Sequence, residues 1–205
     1  MNPQIPDFID SVKGFLAPQE GEALYETALR ASLLGPVLEI GSYCGKSTIY
    51  LGLACQQTQS SVFALDHHAG SEEHQPGEMF HDAELFNNND ERVDTFGEFR
   101  RNIHRAGLTD CVVPVVAGSE QAARHWQTPL GMVFIDGGHS LDAALTDYRC
   151  WAGKIVTGGI LAIHDIFTDP FEGGQAPYAV MQLALKSGLF EKVEVVSTLA
   201  LLRRL

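Results

Sequence analysis

One stretch of the sequence decides the fold: Val37-Leu38-Glu39-Ile40-Gly41-Ser42-Tyr43-Cys44-Gly45-Lys46-Ser47-Thr48. It is typical of a buried strand, a glycine turn and the start of a helix. A second apolar run at residues 61–65 ends in Asp66. A strand, a glycine loop, a helix, a second strand and an acid form the nucleoside-binding half of a doubly wound sheet. The acid can accept hydrogen bonds from the ribose hydroxyls.

The spacing within the glycine loop narrows the choice of nucleoside. A dinucleotide loop, G-x-G-x-x-G, needs a glycine where Tyr43 stands, so NAD and FAD fit poorly. A phosphate-binding P-loop, G-x-x-x-x-G-K-[ST], matches Gly45-Lys46-Ser47 but needs a glycine at Ile40. The loop would offer a triphosphate fewer backbone N–H groups than a complete P-loop. A P-loop-like nucleotide-binding protein therefore stays an alternative.

Length and charge limit the classes of protein and partner. The chain has 205 residues, which predicts a single domain spanning 1–205. Its formal net charge of −12 disfavours nucleic acid, because a phosphate backbone binds a basic face. The same charge disfavours an anionic membrane surface. We therefore expect a small molecule as the partner.

The cysteines and the N-terminal residues indicate the compartment. Cys44, Cys55, Cys111 and Cys150 form neither a C-x-x-C pair nor a zinc spacing. Residues 1–7 lack the basic region and apolar core of a signal peptide, and no apolar run reaches the length of a membrane span. We therefore expect free thiols in a reducing compartment, the cytoplasm.

Helical and strand patterns alternate along the chain. They predict helices at 7–34, 46–57, 95–106, 119–126, 141–152 and 175–187, and strands at 37–40, 61–65, 111–116, 132–135, 160–163, 192–197 and 199–203. Short alternating units predict an α/β fold with a doubly wound, mostly parallel, seven-stranded sheet. The last two strands have a tight connection, which predicts an antiparallel hairpin at the edge of the sheet.

Residues 67–95 interrupt this alternation. The segment is long, acidic and rich in histidine and asparagine. A loop of this length in a compact domain is usually functional or disordered, and this one begins at the carboxyl end of a strand, where ligands bind in open α/β sheets. We predict an insertion within the single domain that acts as a lid or recognises the substrate. The alternative is an excursion without a role.

Acids and histidines follow two of the later strands. Asp136 ends the strand at 132–135, with His139 shortly after it, and His164 and Asp165 end the strand at 160–163. The carboxyl ends of parallel strands meet at one crevice, so these side chains can converge there. Oxygen and imidazole donors suit Mg²⁺, Mn²⁺ or a similar divalent cation. The competing explanation is that these residues cap turns and helices.

Two groups of motifs carry a resemblance to a known family. The pattern E-x-G-x-x-x-G, from Glu39 to Gly45, resembles motif I of class I S-adenosylmethionine (SAM) methyltransferases. Residues 134–140, followed by 158–165, resemble the metal-dependent sugar O-methyltransferases typified by macrocin O-methyltransferase. They are more distantly similar to catechol O-methyltransferase. The resemblance implies the Rossmann-like SAM methyltransferase fold.

The resemblance also implies which residues bind SAM. By resemblance they are Glu39, Gly41, Gly45, Asp66 and Ser119. We also predict Ser42, Tyr43, His67 and Asp136 as cofactor-binding residues, because they lie beside these residues or at the same crevice. In this assignment Glu39 and the glycines surround the methionine side of SAM, and Asp66 holds the ribose. Ser119 falls where relatives read the adenine edge, although many of them have an acid there.

A metal site and a base complete the active site that the resemblance implies. The implied metal ligands are Asp136, His164 and Asp165, although relatives often have an acid at the position of His164. His139 matches the general base of the sugar-modifying relatives. A cation and a base would together prepare a hydroxyl for attack on the methyl group of the sulfonium.

These observations predict a cytoplasmic SAM-dependent O-methyltransferase (EC 2.1.1.-) that acts on a sugar-like or phenolic small molecule with a divalent cation. One alternative is a methyltransferase that acts on nitrogen or carbon without a metal. Others are a SAM-binding protein without catalysis and the P-loop-like nucleotide-binding protein. We expect neither nucleic acid nor membrane as a partner, and the sequence admits a homodimer.

Overall fold

The computed structural model describes residues 5–71, 75, 77, 82–87 and 91–205. The helices are α1 (Pro18–Ala31), α2 (Lys46–Thr58), α3 (Phe96–Arg105), α4 (Ser119–Ala123), α5 (Leu141–Trp151) and α6 (Ala176–Lys186). The strands are β1 (Val37–Ile40), β2 (Val62–Asp66), β3 (Phe86–Asn87), β4 (Arg92–Val93), β5 (Val112–Val116), β6 (Leu130–Ile135), β7 (Ile155–Ile163), β8 (Phe190–Val196) and β9 (Leu199–Arg204). Among these helices, none has both the length and the apolar character needed to cross a membrane.

Seven of the strands form one sheet in the order β5-β2-β1-β6-β7-β9-β8. β1 pairs in parallel with β2 and β6, β2 pairs with β5, and β6 pairs with β7. β9 is antiparallel to both β7 and β8. This arrangement confirms the predicted doubly wound, mostly parallel, seven-stranded sheet with an antiparallel hairpin at its edge.

Helices cover both faces of the sheet. On one face the core contains buried side chains from α1, α2 and α3, among them Leu24, Ile49 and Phe99. On the other face α5 and α6 bury Trp151 and Val180, and α4 packs beside them. β1 and β6 are buried along their whole length, as expected for central parallel strands that have helices on both faces.

The structure differs from the predicted elements mainly near the N-terminus. The predicted helix 7–34 is a 3₁₀ turn at Ile9–Ser11 followed by α1, which begins at Pro18. Proline is favoured at the start of a helix because its missing N–H would have no partner there, whereas inside a helix it removes a hydrogen bond. The apolar residues have helical spacing on both sides of Pro18, but the proline starts a new helix and so divides the predicted one into two elements. The predicted strand 160–163 also begins earlier, at Ile155.

The predicted insertion 67–95 lies only partly within the described residues. Ala83–Leu85 forms a 3₁₀ turn, and β3 pairs with β4 as a short antiparallel ribbon. Leu85 and Val93 pack against Cys44 in the glycine loop. The described part of the insertion therefore rests on the loop that follows β1.

The turn after β1 requires glycine. Gly41 has a φ of +87°, and a Cβ built on it would lie 2.0 Å from the carbonyl oxygen of Asp136. Only glycine adopts this backbone conformation freely and allows such an approach. The backbones that leave β1 and β6 therefore meet where the strand order reverses, which is the usual ligand-binding crevice of an open α/β sheet.

Replacing Gly41 with alanine should destabilise the protein by about 2–4 kcal/mol, because the added methyl group meets backbone atoms while φ stays positive. Gly118→Ala is the matched control, since Gly118 has a φ of −82° and an added Cβ would meet no described atom within 4 Å. Urea denaturation of both variants measures the difference. Equal midpoints for the two variants would contradict the close approach.

Candidate active site

A cavity of about 670 Å³ opens at the carboxyl ends of β1, β2, β5 and β6. This is the size of a small-molecule site. It is lined by six residues that the sequence predicts to bind the cofactor: Gly41, Tyr43, Asp66, His67, Ser119 and Asp136. His139 lines it as well. Glu39, Ser42 and Gly45 do not belong to its described lining, so these three would shape the cavity from behind.

Asp66, at the end of β2, is held by two loops. One carboxylate oxygen accepts the backbone N–H of Tyr43 at 2.8 Å, and the other accepts the backbone N–H of His68 at 2.7 Å. Tyr43 and His68 have φ angles of +46° and +58°. Each carboxylate oxygen keeps a second lone pair, so the side chain can still accept hydrogen bonds from a diol.

Glu39 lies inside the fold. Its side chain is fully buried and accepts a hydrogen bond from the hydroxyl of Thr48, in the first turn of α2. Burial raises the pKa of Glu39 to about 8, the side chains of Ser47 and Thr48 oppose the rise, and the carboxylates of Asp136 and Asp66 add to it. The carboxyl group therefore holds its proton at neutral pH and ties β1 to α2 around the glycine loop.

Ser119 uses its hydroxyl group within the fold. The hydroxyl donates to Asp147 Oδ1 at 2.5 Å and accepts the indole N–H of Trp151 at 3.0 Å. Both partners belong to α5, so this chain of hydrogen bonds joins the start of α4 to α5. Because the Ser119 hydroxyl donates its proton to Asp147, it can offer an adenine edge only its remaining lone pair.

Asp147 lines the cavity and is a residue that the sequence analysis missed. Its side chain is buried, and burial raises its pKa to about 6 while the Ser119 hydrogen bond opposes the rise. The sequence pattern of α5 already indicated a buried acid at Asp147. Ala144, Asp147 and Trp151 recur at helical spacing and are all buried, so an acid interrupts an apolar stripe.

Asp136, His139 and Asp165 form a cluster at the ends of β6 and β7. Each offers one possible ligand atom, and these atoms all lie within 4.8 Å of one another. His139 Nε2 is 2.8 Å from Asp165 Oδ2. Burial would raise the pKa of Asp165, but hydrogen bonds from His139 and His164 hold it well below its usual range. The structure therefore brings together three of the four residues that the sequence predicts at this crevice.

His164, the fourth of them, lies behind the cluster. The residue is 3% exposed, with Nδ1 at 3.0 Å from Asp136 Oδ1 and Nε2 at 3.0 Å from Glu20 Oε2. Burial would lower the pKa of His164, but the carboxylates of Asp136, Asp165 and Glu20 raise it to about 12. Both ring nitrogens face carboxylates, so the ring is placed to orient Asp136. The cluster of possible ligand atoms contains His139 rather than His164, whose role as a metal ligand stays a prediction.

Glu20, on α1, is a second residue that the sequence analysis missed. Its Oε1 accepts the N–H and the hydroxyl of Thr198, both at 2.8 Å, and its Oε2 accepts the N–H of Ala17 at 3.0 Å as well as facing His164. Burial opposes ionisation, but the hydrogen bonds from His164 and Thr198 lower the pKa of Glu20 to about 2. Sequence shows only a glutamate near a helix start, because its partners are distant along the chain.

Glu20→Ala should cost about 3–5 kcal/mol of folding stability, because it leaves one nitrogen of a buried, charged imidazole and two Thr198 donors without a partner. Glu26→Ala, at an exposed position of the same helix, is the matched control and should change stability by less than about 0.5 kcal/mol. Guanidinium denaturation at neutral pH measures both. A Glu20→Ala midpoint equal to that of the wild type would show that this buried pair contributes no stability.

Known proteins share the fold. A family model described as a methyltransferase domain matches residues 38–166. The O-methyltransferase NovP superposes with a TM-score of 0.69 and 16% identity over 91% of this chain and 79% of that chain. An O-methyltransferase from Bacillus cereus in complex with SAH gives 0.65 and 16% over 96% and 86%. A putative rRNA methylase from Clostridium thermocellum gives 0.56 and 12% over 94% and 100%.

The structural likenesses have low sequence identity and show a shared fold, whereas the family model identifies the chain. The match at 38–166 covers more than half of the chain and includes the glycine loop, Asp66, Asp136 and Asp165. The cavity lies within the same region, at the crevice where the fold binds its ligands. The chain therefore belongs to the methyltransferase domain family, with the fold of the class I SAM-dependent enzymes.

Proposed function

We propose that the protein is a SAM-dependent O-methyltransferase that transfers a methyl group to a hydroxyl of a small molecule, assisted by a divalent cation. One observation carries the proposal: Asp66, Asp136 and His139 line the same cavity. Asp66 suits the ribose of the methyl donor. Asp136 and His139 belong to a cluster that could help a hydroxyl group of the acceptor lose its proton, as it must when it attacks the methyl group.

The charge of the cavity supports SAM as the methyl donor. Its described lining contains several acids, Asp66, Glu120, Asp136, Asp142 and Asp147, and neither lysine nor arginine. A sulfonium cation is favoured near carboxylates, whereas a triphosphate would be repelled by them. Lys46, the residue that a P-loop would direct at a phosphate, does not belong to the described lining. These observations favour SAM over the P-loop alternative.

Asp136 and Asp165 would hold the cation. They belong to a cluster of carboxylate and imidazole donors whose ligand atoms lie within 4.8 Å of one another, a set that fits Mg²⁺ or Mn²⁺. When bound, the cation would supply positive charge that favours the ionised form of an acceptor hydroxyl. His164 supports this arrangement from behind, because its bond to Asp136 fixes the orientation of that carboxylate.

His139 would accept the proton of the acceptor. Its Nε2 faces Asp165 Oδ2 at 2.8 Å, so the carboxylate orients the ring and stabilises the imidazolium that forms. Asp165 would thus serve both the cation and the base.

A second arrangement of the same function has its own support. The three side chains of the cluster lie close enough to surround one ion, so His139 would be the third ligand in place of His164. In that arrangement the cation alone would activate the hydroxyl. The two roles of His139 differ in one measurable property. Metal binding requires His139 if it is a ligand, but does not require it if it is the base.

We propose a sugar-like or phenolic acceptor. A nucleic acid is disfavoured by the net charge of −12, and the acids on the cavity wall would repel its phosphates. A cytoplasmic location and no membrane partner belong to the same proposal, as does a homodimer. Cell fractionation and sedimentation would test these parts.

Asp66→Ala should weaken SAM binding by about 1.5–3 kcal/mol, the usual range for hydrogen bonds to a charged group. Isothermal titration calorimetry of wild type and variant with SAM, ATP and NAD provides the measurement. Asp110→Ala, at an exposed position, is the control and should bind SAM as the wild type does. Unchanged SAM affinity in Asp66→Ala would remove the ribose assignment, and wild-type binding of ATP but not SAM would favour the P-loop alternative.

His139→Ala should lower the rate of methyl transfer by about 10²–10⁴-fold, the range for a positioned base. The assay uses radiolabelled methyl SAM and an acceptor found by screening phenols and sugars. The loss should shrink at high pH, because hydroxide can then replace the base. Mn²⁺ titration should show metal affinity like that of the wild type.

Two results would change this assignment. Loss of Mn²⁺ binding in His139→Ala would make His139 a ligand, as in the second arrangement. Wild-type activity that survives EDTA would remove the cation from the mechanism and favour the metal-free alternatives, including transfer to nitrogen or carbon.

A further inference from the structure

His68 and Thr95 join the two ends of the insertion 67–95. His68 Nδ1 is 2.7 Å from Thr95 Oγ1, and the N–H of Thr95 donates to the carbonyl oxygen of His68 at 3.1 Å. The two side chains are 4% and 1% exposed. The proposed chemistry uses neither of them. We refer to them as the His68–Thr95 pair.

The pair holds His68 in an unusual conformation. His68 has a φ of +58°, which residues with a side chain rarely adopt. In this conformation its backbone N–H donates to Asp66 Oδ1 at 2.7 Å. The ring is fixed between two aromatic side chains of α3, with centroid distances of 4.9 Å to Phe96 and 5.3 Å to Phe99. The anchored ring therefore stabilises the backbone that orients Asp66.

Thr95 directs its hydroxyl to His68 although it stands at the N-cap of α3. A threonine at this position usually accepts an N–H from the first helical turn, but Thr95 makes no such bond. Asp94 Oδ1 instead accepts the N–H of Phe96 at 3.0 Å. Among the described residues, His68 Nε2 has no hydrogen-bond partner. Within that part of the chain, the Thr95 hydroxyl is therefore the polar anchor of the ring.

The same helix supports the second N–H that orients Asp66. Asn102, on α3, donates through Nδ2 to the carbonyl oxygen of Cys44 at 2.9 Å. Phe99 packs so close to Gly45 that an added Cβ there would lie 3.2 Å from its ring. The glycine loop that carries the Tyr43 N–H therefore also rests on α3. Both donors to Asp66 depend on where this helix lies.

We propose that His68 and Thr95 are positioning residues for the ribose of the cofactor. The pair fixes the His68 N–H and, through it, the carboxylate of Asp66. This inference rests on the proposed SAM site. It implies that the His68–Thr95 bond and the bound cofactor stabilise each other, so that the two are coupled.

The test compares SAH binding by calorimetry in the wild type and three variants. Thr95→Val removes the hydroxyl at nearly constant volume and should weaken SAH binding about 3–10-fold, as expected for one lost hydrogen bond. Thr95→Ser restores the hydroxyl and should bind within about twofold of the wild type. Thr58→Val is the matched control, because the Thr58 hydroxyl bonds to Ser32 and Cys55 at the far end of α2. It should bind SAH as the wild type does.

The change in amide hydrogen exchange that SAH causes within each variant adds a second readout. SAH should protect residues 67–71 and 91–95 in the wild type and in Thr95→Ser, and should protect them less in Thr95→Val. Wild-type affinity in Thr95→Val, an equal loss in Thr58→Val, or no recovery in Thr95→Ser would each overturn the inference alone. A wild type that binds no SAH would overturn the proposed function, and this inference with it.

Discussion

The candidate site depends on one close approach of two backbones, where Gly41 at the end of β1 passes the carbonyl oxygen of Asp136 at the end of β6. The strands are neighbours in the sheet, but the chain continues from them in different directions, into α2 and into α5. The glycine loop and the residues after β6 therefore diverge from a shared point and form two walls of one cavity. A side chain at position 41 would occupy the space that joins these walls.

Acids near the strand ends differ in charge because their surroundings differ. Glu39 is buried beside a hydroxyl, which compensates little of the cost of burial, so its pKa rises. Asp165 is half-buried, but imidazole donors stabilise its charge and its pKa falls. Asp66 accepts two backbone N–H groups. The negative charge of the site is thereby concentrated where a sulfonium or a metal cation would lie, and is absent at Glu39 behind the glycine loop.

The sequence predicts the sheet, its order of elements and the crevice, because those follow from local apolar periodicity and from the rule that parallel strands end at one edge. It also places Asp136, His139 and Asp165 together. It does not reveal that Ser119 bonds to Asp147, or that His164 faces Glu20. Each of these depends on helix packing that brings distant residues together. A polar side chain at a strand end looks the same in sequence whether it faces the cavity or the core.

Glu20 shows that the segment matched by the family model does not complete the site by itself. That segment, 38–166, contains His164, but α1 and Glu20 precede it and Thr198 follows it. Glu20 bonds to His164 and to Thr198, so three parts of the chain meet at one carboxylate.

The pairing of Glu20 with His164 also gives a physical reason for histidine rather than an acid at position 164. A carboxylate at position 164 would face Glu20 in a region almost without solvent, and two like charges there would destabilise the fold. A histidine there can donate to Glu20 on one side and to Asp136 on the other. Glu20 and His164 therefore form one matched feature, which orients Asp136 from the core behind the cluster.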